Sequence, residues 1–250
     1  MIKLETINGH TYYLPEGKIP FQEDAIRQSG VYEPATSAAI YKYVKPGMNV
    51  VEGGACCGYH ALNLAKTVGP LGRVYCFEAN PELVKILEKN VEINGYADTV
   101  VVTHAGLWFE ESVMPFPMLG AGLGGASFKN PRQLAAVPTV PVRMVSLDDQ
   151  FADKRVDFIR MDIEGAELEA LKGAESVLSK QQPDMILEWI PVNTSSGDSV
   201  EMYELLKRYG YQLYRITRDG LGKIAGYEDL YSSEHVATHE RDILCSCEVL

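Results

Sequence analysis

A doubly wound α/β fold, with helices covering both faces of a mostly parallel seven-stranded sheet, is what this chain of 250 residues predicts. Three observations lead there. Short apolar runs alternate with segments of helical period along most of the chain, the rhythm of a parallel sheet wrapped by helices. The runs are mostly hydrophobic, as strands buried on both faces tend to be. Five of them end in an ionisable residue, namely Glu52, Glu78, His104, Asp162 and Glu188.

The elements follow in order. Ile2–Ile7 and Thr11–Leu14 flank Asn8-Gly9, a strong turn pair, and predict an N-terminal β-hairpin extension over residues 1–30. A helix over Ala35–Val44 is stopped by Pro46-Gly47. Asn49–Val51 is a short buried strand running into glycines, and Ala61, Leu62, Leu64, Ala65 and Val68 mark the next helix. Arg73–Phe77 is the second strand. Asn80 is a good N-cap, Pro81 a good first helical residue, and Leu83, Leu87 and Val91 repeat at helical spacing. Strands follow at Thr99–Thr103, Val156–Met161 and Met185–Trp189, with a helix carrying Leu168, Leu171 and Leu178 between the last two. The helix Val200–Tyr209 ends at Gly210. Tyr211–Ile216 and Ile243–Val249 lack a long helix between them and are expected to pair antiparallel at one edge. Residues 109–145, rich in Gly, Pro and Met, break the rhythm and read as a lid-like insertion in a domain spanning 31–250.

Composition narrows the function classes. Lys+Arg is 23 against Asp+Glu 34, a net charge of −11, which argues against a nucleic-acid or anionic-membrane binder. The five cysteines lack zinc or disulfide spacing and read as thiols in a reducing compartment. MIKLETINGH has no apolar signal core, and Val113–Ala126 is too broken by Pro and Gly for a membrane helix, so the expectation is a cytoplasmic protein.

Ligands of open α/β sheets bind beyond the carboxyl ends of the strands. Five charged ends at one rim therefore point to a polar pocket, because apolar strands do not bury charge without a use for it. The turn Glu52-Gly53-Gly54-Ala55-Cys56-Cys57-Gly58 fits a nucleotide-binding bend poorly as Gly-x-Gly-x-x-Gly and well as acid-x-Gly-x-x-x-Gly. A leading carboxylate repels a pyrophosphate and suits a cationic ligand such as S-adenosylmethionine. Glu78, 20 residues after Gly58, sits where an acid accepts bonds from ribose hydroxyls. The remaining motifs carry less. His235 and His239 share helical spacing but have no third ligand nearby, and Gly120–Gly125 lacks the Gly-Lys-Ser/Thr ending of a phosphate loop.

VVEGGACCGYHALNLA, VYCFEANPE and FIRMDIEGAELEALKGA resemble the FkbM-type family of class I S-adenosylmethionine-dependent methyltransferases, which have a Rossmann-like sheet. The chain departs from the family at Glu52, Cys56 and Arg160, where Asp, Asn and Lys are usual. The resemblance implies a cofactor turn of Glu52, Gly53, Gly54, Ala55 and Gly58. It implies ribose contacts from Glu78 with Ala79 and Asn80, adenine contacts from Ala105, Gly106 and Leu107, and Asp162 near the methionine end. It also implies Ser127 as counterpart of a family serine, and O-methylation of a small-molecule hydroxyl, on a sugar or secondary metabolite. The catalytic base is sought among Asp162, Glu164 and His104. A metal-assisted variant with Mg²⁺ or Mn²⁺ on Asp162 and Glu188 is the less favoured alternative. A carboxylate acceptor, which needs no base, and an NAD-dependent oxidoreductase of the same fold class are the other readings. Met114, Phe116, Met118, Leu119 and Phe128 would give the insertion an apolar face toward an acceptor. A homo-oligomer is left open.

Overall fold

The computed structural model describes residues 1–189, 196–231 and 241–249. Its elements run β1 (Ile2–Glu5), β2 (Thr11–Leu14), α1 (Pro20–Ser29), α2 (Pro34–Tyr43), β3 (Asn49–Gly53), α3 (Tyr59–Val68), β4 (Arg73–Glu78), α4 (Pro81–Ile93) and β5 (Val100–His104). They continue with β6 (Gly106–Leu107), β7 (Ser112–Pro117), α5 (Pro131–Ala136), β8 (Thr139–Val145), α6 (Leu147–Gln150), β9 (Phe158–Met161), α7 (Glu167–Lys172), α8 (Glu175–Lys180) and β10 (Asp184–Glu188). The last are α9 (Ser196–Arg208), β11 (Gln212–Thr217), β12 (Gly220–Ile224) and β13 (Asp242–Ser246).

The main sheet has the order β12-β11-β13-β10-β9-β3-β4-β5. β5, β4, β3, β9 and β10 are mutually parallel. The sheet thus has eight strands where seven were expected. The added strand, β12, pairs with β11 through a turn in which Thr217 faces Gly220. The expected antiparallel pairing of the two final strands occurs, but β13 lies inside the sheet between β10 and β11. Two apolar clusters sandwich the sheet. Leu62, Leu64 and Leu87 pack on one face. Leu168, Leu171 and Leu178 pack on the other.

Where helix was expected through 167–180, there are two short helices broken at Gly173. A Cβ there would lie 2.2 Å from the Trp108 carbonyl oxygen, so the passing backbone requires glycine. α1 was not anticipated; Pro20 starts it and only Gln22 and Ile26 are buried, too few to show a period. The insertion is more ordered than a loop. β7 and β8 pair antiparallel with Pro115 opposite Pro141, so both missing donors fall at one place in the ladder, and β6 completes a three-stranded sheet. Phe116, Phe128, Val142 and Met144 form its own small core.

The N-terminal hairpin is fastened to α4 by side chains that imitate a strand. Asn90 Oδ1 accepts from Tyr13 N at 2.8 Å and its Nδ2 donates to Tyr13 O at 2.9 Å, while Asn94 does the same for Thr11. Asn90 Nδ2 also donates to the Cys57 carbonyl at 2.8 Å, joining the hairpin to the glycine turn after β3. Among the described residues no helix is long and apolar enough to cross a membrane. His235 and His239 lie outside the described residues.

Candidate active site

A cavity of about 830 Å³ opens at the carboxyl ends of β3, β4, β9 and β10. Gly54, Ala55, Glu78 and Ala79 line one part of it, with Ala105, Gly106 and Leu107 beyond. Glu52, Asp162, Glu164 and Glu188 line another. Ile19–Gln22 of the chain entering α1 and the 122–126 stretch of the insertion form the cover.

The glycine turn is built by close approach. Gly54 has φ +75°, and a Cβ on it would lie 1.8 Å from the Asp162 carbonyl oxygen. The turns after β3 and β9 are thus in direct backbone contact, reinforced by Asp162 N donating to Gly53 O at 3.1 Å. Gly58, at φ +92°, starts α3 against Leu87 and lies behind the cavity rather than on it. Gly53 is likewise a packing position, against Leu107 and Met161.

Glu78 ends β4 and its two oxygens accept from Cys56 N at 2.8 Å and Asn80 N at 2.7 Å. Each carboxylate oxygen can accept more than one bond, so both retain capacity for a ligand hydroxyl. Burial pushes the Glu78 carboxyl above its ordinary range, and the backbone donors partly offset this. Asn80 lies just outside the lining, capping α4 by accepting from Glu82 N at 2.9 Å. Glu78→Ala is expected to weaken S-adenosylhomocysteine binding by ~1.5–3 kcal/mol, read by calorimetry, because hydrogen bonds to a charged acceptor are lost. An unchanged Kd would reject the ribose role.

Glu52 does not point a free carboxylate at the cavity. Its Oε1 accepts from Arg160 Nη1 at 3.1 Å, and Oε2 is buried without a hydrogen-bond partner. Burial pushes Glu52 up to about 8 even with the guanidinium beside it. Arg160 Nη2 also reaches Asp162 Oδ2 at 2.9 Å and Glu33 Oε2 at 3.1 Å. Burial opposes the charge on Arg160, but Glu52, Asp162 and Glu33 outweigh it and hold its pKa above the ordinary range. Burial works against Glu33 as well, yet the hydrogen bond from His60 and the Arg160 charge bring its carboxyl down to about 2.

The Asp162–Glu167 turn is held at three points. Ile163 N donates to Glu167 Oε1 at 2.9 Å, Ser127 Oγ donates to Glu164 O at 2.7 Å, and Asp162 N is bound as above. Glu164 sits at φ +56°, a left-handed conformation that a non-glycine residue keeps only when its surroundings fix it. Burial first, then Asp162 and Glu167, push its carboxyl up to about 8. Carboxylate oxygens of Asp162, Glu164 and Glu188 come within 4.8 Å of one another. Such a trio can attract a divalent ion, but Asp162 Oδ2 is already engaged by the Arg160 guanidinium, which leaves this carboxylate one oxygen for a metal. The donor set therefore fits a metal poorly. His104, expected as one candidate base, is exposed and does not line the cavity; its ring bonds the Ala79 carbonyl at 3.0 Å.

Sequence reasoning missed Glu33 and His60. No strand end or spacing marks either; the one local signal is Glu33 standing before Pro34 at the start of α2.

The methyltransferase FkbM domain model matches residues 52–213. A protein-L-isoaspartate O-methyltransferase of Methanothrix thermoacetophila is 30% identical over 109 residues, covering 42% of this chain and 52% of that protein. One from Triticum aestivum is 28% identical, covering 62% and 74%. The chain spans about half or less of the length of the first such relatives it matches. An O-methyltransferase from Bacillus cereus in complex with S-adenosylhomocysteine shares the fold, with a TM-score of 0.52, 16% identity and 94% coverage of both chains. A methyltransferase FkbM from Methylobacillus flagellatus has a TM-score of 0.51 at 18% identity, covering 84% of this chain and 50% of that one. The cradle fits such a cofactor: only a glycine can stand at Gly54, and Glu78 keeps acceptor capacity toward the cavity. The chain belongs to the FkbM family of S-adenosylmethionine-dependent methyltransferases.

Proposed function

We propose that this protein transfers a methyl group to a hydroxyl of a small molecule, a sugar or a secondary metabolite, with Glu164 as the general base and Asp162 as the neighbouring fixed anion. The observation that carries the reading is the convergence of Asp162, Glu164 and Glu188 on the wall of the cavity that also holds the glycine turn and Glu78. When bound, S-adenosylmethionine supplies an electrophilic methyl group. The chain's part is to orient an acceptor oxygen in line with it, exclude water and take the proton. A carboxyl pushed up to about 8 is a better proton acceptor than an ordinary glutamate once ionised, which is why Glu164 is preferred over Asp162. Asp162 is ion-paired with Arg160. The insertion, with Gly122–Ala126 and Phe128 on the cavity, acts in this reading as a lid with an apolar inner face.

The curated relatives named for protein-L-isoaspartate bring a carboxylate acceptor into view. A hydroxyl acceptor has a proton to give to this carboxyl trio and an ionised acid has none, which favours the hydroxyl. The dinucleotide oxidoreductase reading finds no support in the family match. The net charge of −11 favours a small acceptor over nucleic acid or an anionic membrane, and a cytoplasmic setting belongs to the same proposal.

The test is S-adenosylhomocysteine release over a panel of hydroxylated sugars and phenolic or polyol metabolites, set against small carboxylic acids. Turnover with hydroxyl acceptors, rising with pH through a midpoint near 8, is expected. Turnover confined to carboxylic acids, and flat with pH above 6, would reject it. Adding EDTA is expected to leave the rate unchanged, and its loss with recovery on Mg²⁺ would restore the metal variant.

A further inference from the structure

We propose that Arg160 is a positioning residue, its guanidinium buried in the cavity wall and fixing the Asp162 carboxylate toward the site of methyl transfer. This rests on the reading of Asp162 given under Proposed function. Arg160 and Asp162 both line the cavity, with side chains 4% and 21% exposed, so the guanidinium is buried in the wall and the carboxylate is the more open of the two. One Nη binds Glu52 of β3 at 3.1 Å; the other binds Asp162 at 2.9 Å and Glu33, just before α2, at 3.1 Å. A planar fork holds groups at set angles, whereas an ammonium is a point charge on a flexible stem. Three carboxylates from separate elements are thereby locked to a single side chain. Asp162 Oδ2 is directed by its own strand neighbour two residues back.

A purely structural Arg160 would do no more than neutralise Glu52. The two roles separate on a pair of ligands that differ in charge at sulfur. S-adenosylmethionine carries a sulfonium and S-adenosylhomocysteine does not, so a carboxylate aimed at the sulfur favours the first. The experiment is calorimetry with both ligands on the full chain and on Asp162→Asn and Arg160→Lys, with thermal melts to establish folding. Asp162→Asn is expected to lower the ratio of the two affinities about five-fold. Arg160→Lys, which keeps the positive charge but loses the fork, is expected to lower it about two-fold. A folded Arg160→Lys with the parent ratio, alongside a lowered ratio in Asp162→Asn, overturns the proposal and leaves the site reading intact. A parent ratio in Asp162→Asn instead overturns the placement of Asp162 itself.

Discussion

Gly54→Ala is expected to abolish measurable S-adenosylhomocysteine binding and to cost about 3 kcal/mol or more of stability, roughly 6–12 °C of Tm in a chain of this size. Two effects add. At φ +75° any side chain is strained, by about 1–2 kcal/mol. The new methyl would also lie 1.8 Å from the Asp162 carbonyl oxygen and 2.9 Å from its carbon, which are backbone atoms that cannot swing aside. The turns after β3 and β9 must then part, opening the cofactor cradle and moving Asp162 together. Gly47→Ala separates the two effects, because Gly47 has φ +85° but nothing within 4 Å of an added Cβ. That variant should show the conformational cost alone, about 1–2 kcal/mol, and bind the ligand normally. Calorimetry and thermal melts on the two variants check this. Equal behaviour would mean that the contact between the turns does not matter.

Glu164→Gln is expected to lower turnover about 10²–10⁴-fold, the usual worth of a positioned base, while changing S-adenosylhomocysteine affinity far less. The same substitution has a pH signature in stability. The folded-state carboxyl titrates at about 8, against about 4.3 in an unfolded chain. Between those values the folded chain holds a proton that the unfolded chain has released. Stability therefore falls as pH rises through that window, and the full penalty applies above about 8. Glutamine never ionises, so the variant should melt higher than the parent at pH 9, with the gap closing toward pH 4. Thermal melts at the two extremes test this. A variant that loses both activity and stability at pH 9 would argue for a structural carboxylate instead.

The parts of the fold legible in the sequence were those that repeat. β2 and α4 stand where their patterns put them, and Asn80-Pro81 opens α4 as an N-cap and first residue should. The acidic strand ends were visible because an isolated charge after an apolar run has a local cost that the eye can detect. The Arg160 network was not, since its members come from residues 33, 52, 160 and 162 and meet only through the sheet order. β7 and β8 were hidden by prolines, which read as loop in isolation and make sense only when Pro115 faces Pro141. β12 was missed because a strand of Gly-Leu-Gly-Lys-Ile has almost no apolar period to recognise.

The Asn90 side chain holds a strand of the hairpin with one set of bonds and the cofactor bend with another. A boundary placed at residue 52, where family similarity starts, would strip away the partner of that amide and the segment that roofs the crevice. The unit that builds the whole crevice is therefore larger than the homologous region, because residues 19–22 supply part of its wall and the hairpin shares an amide with its glycine bend.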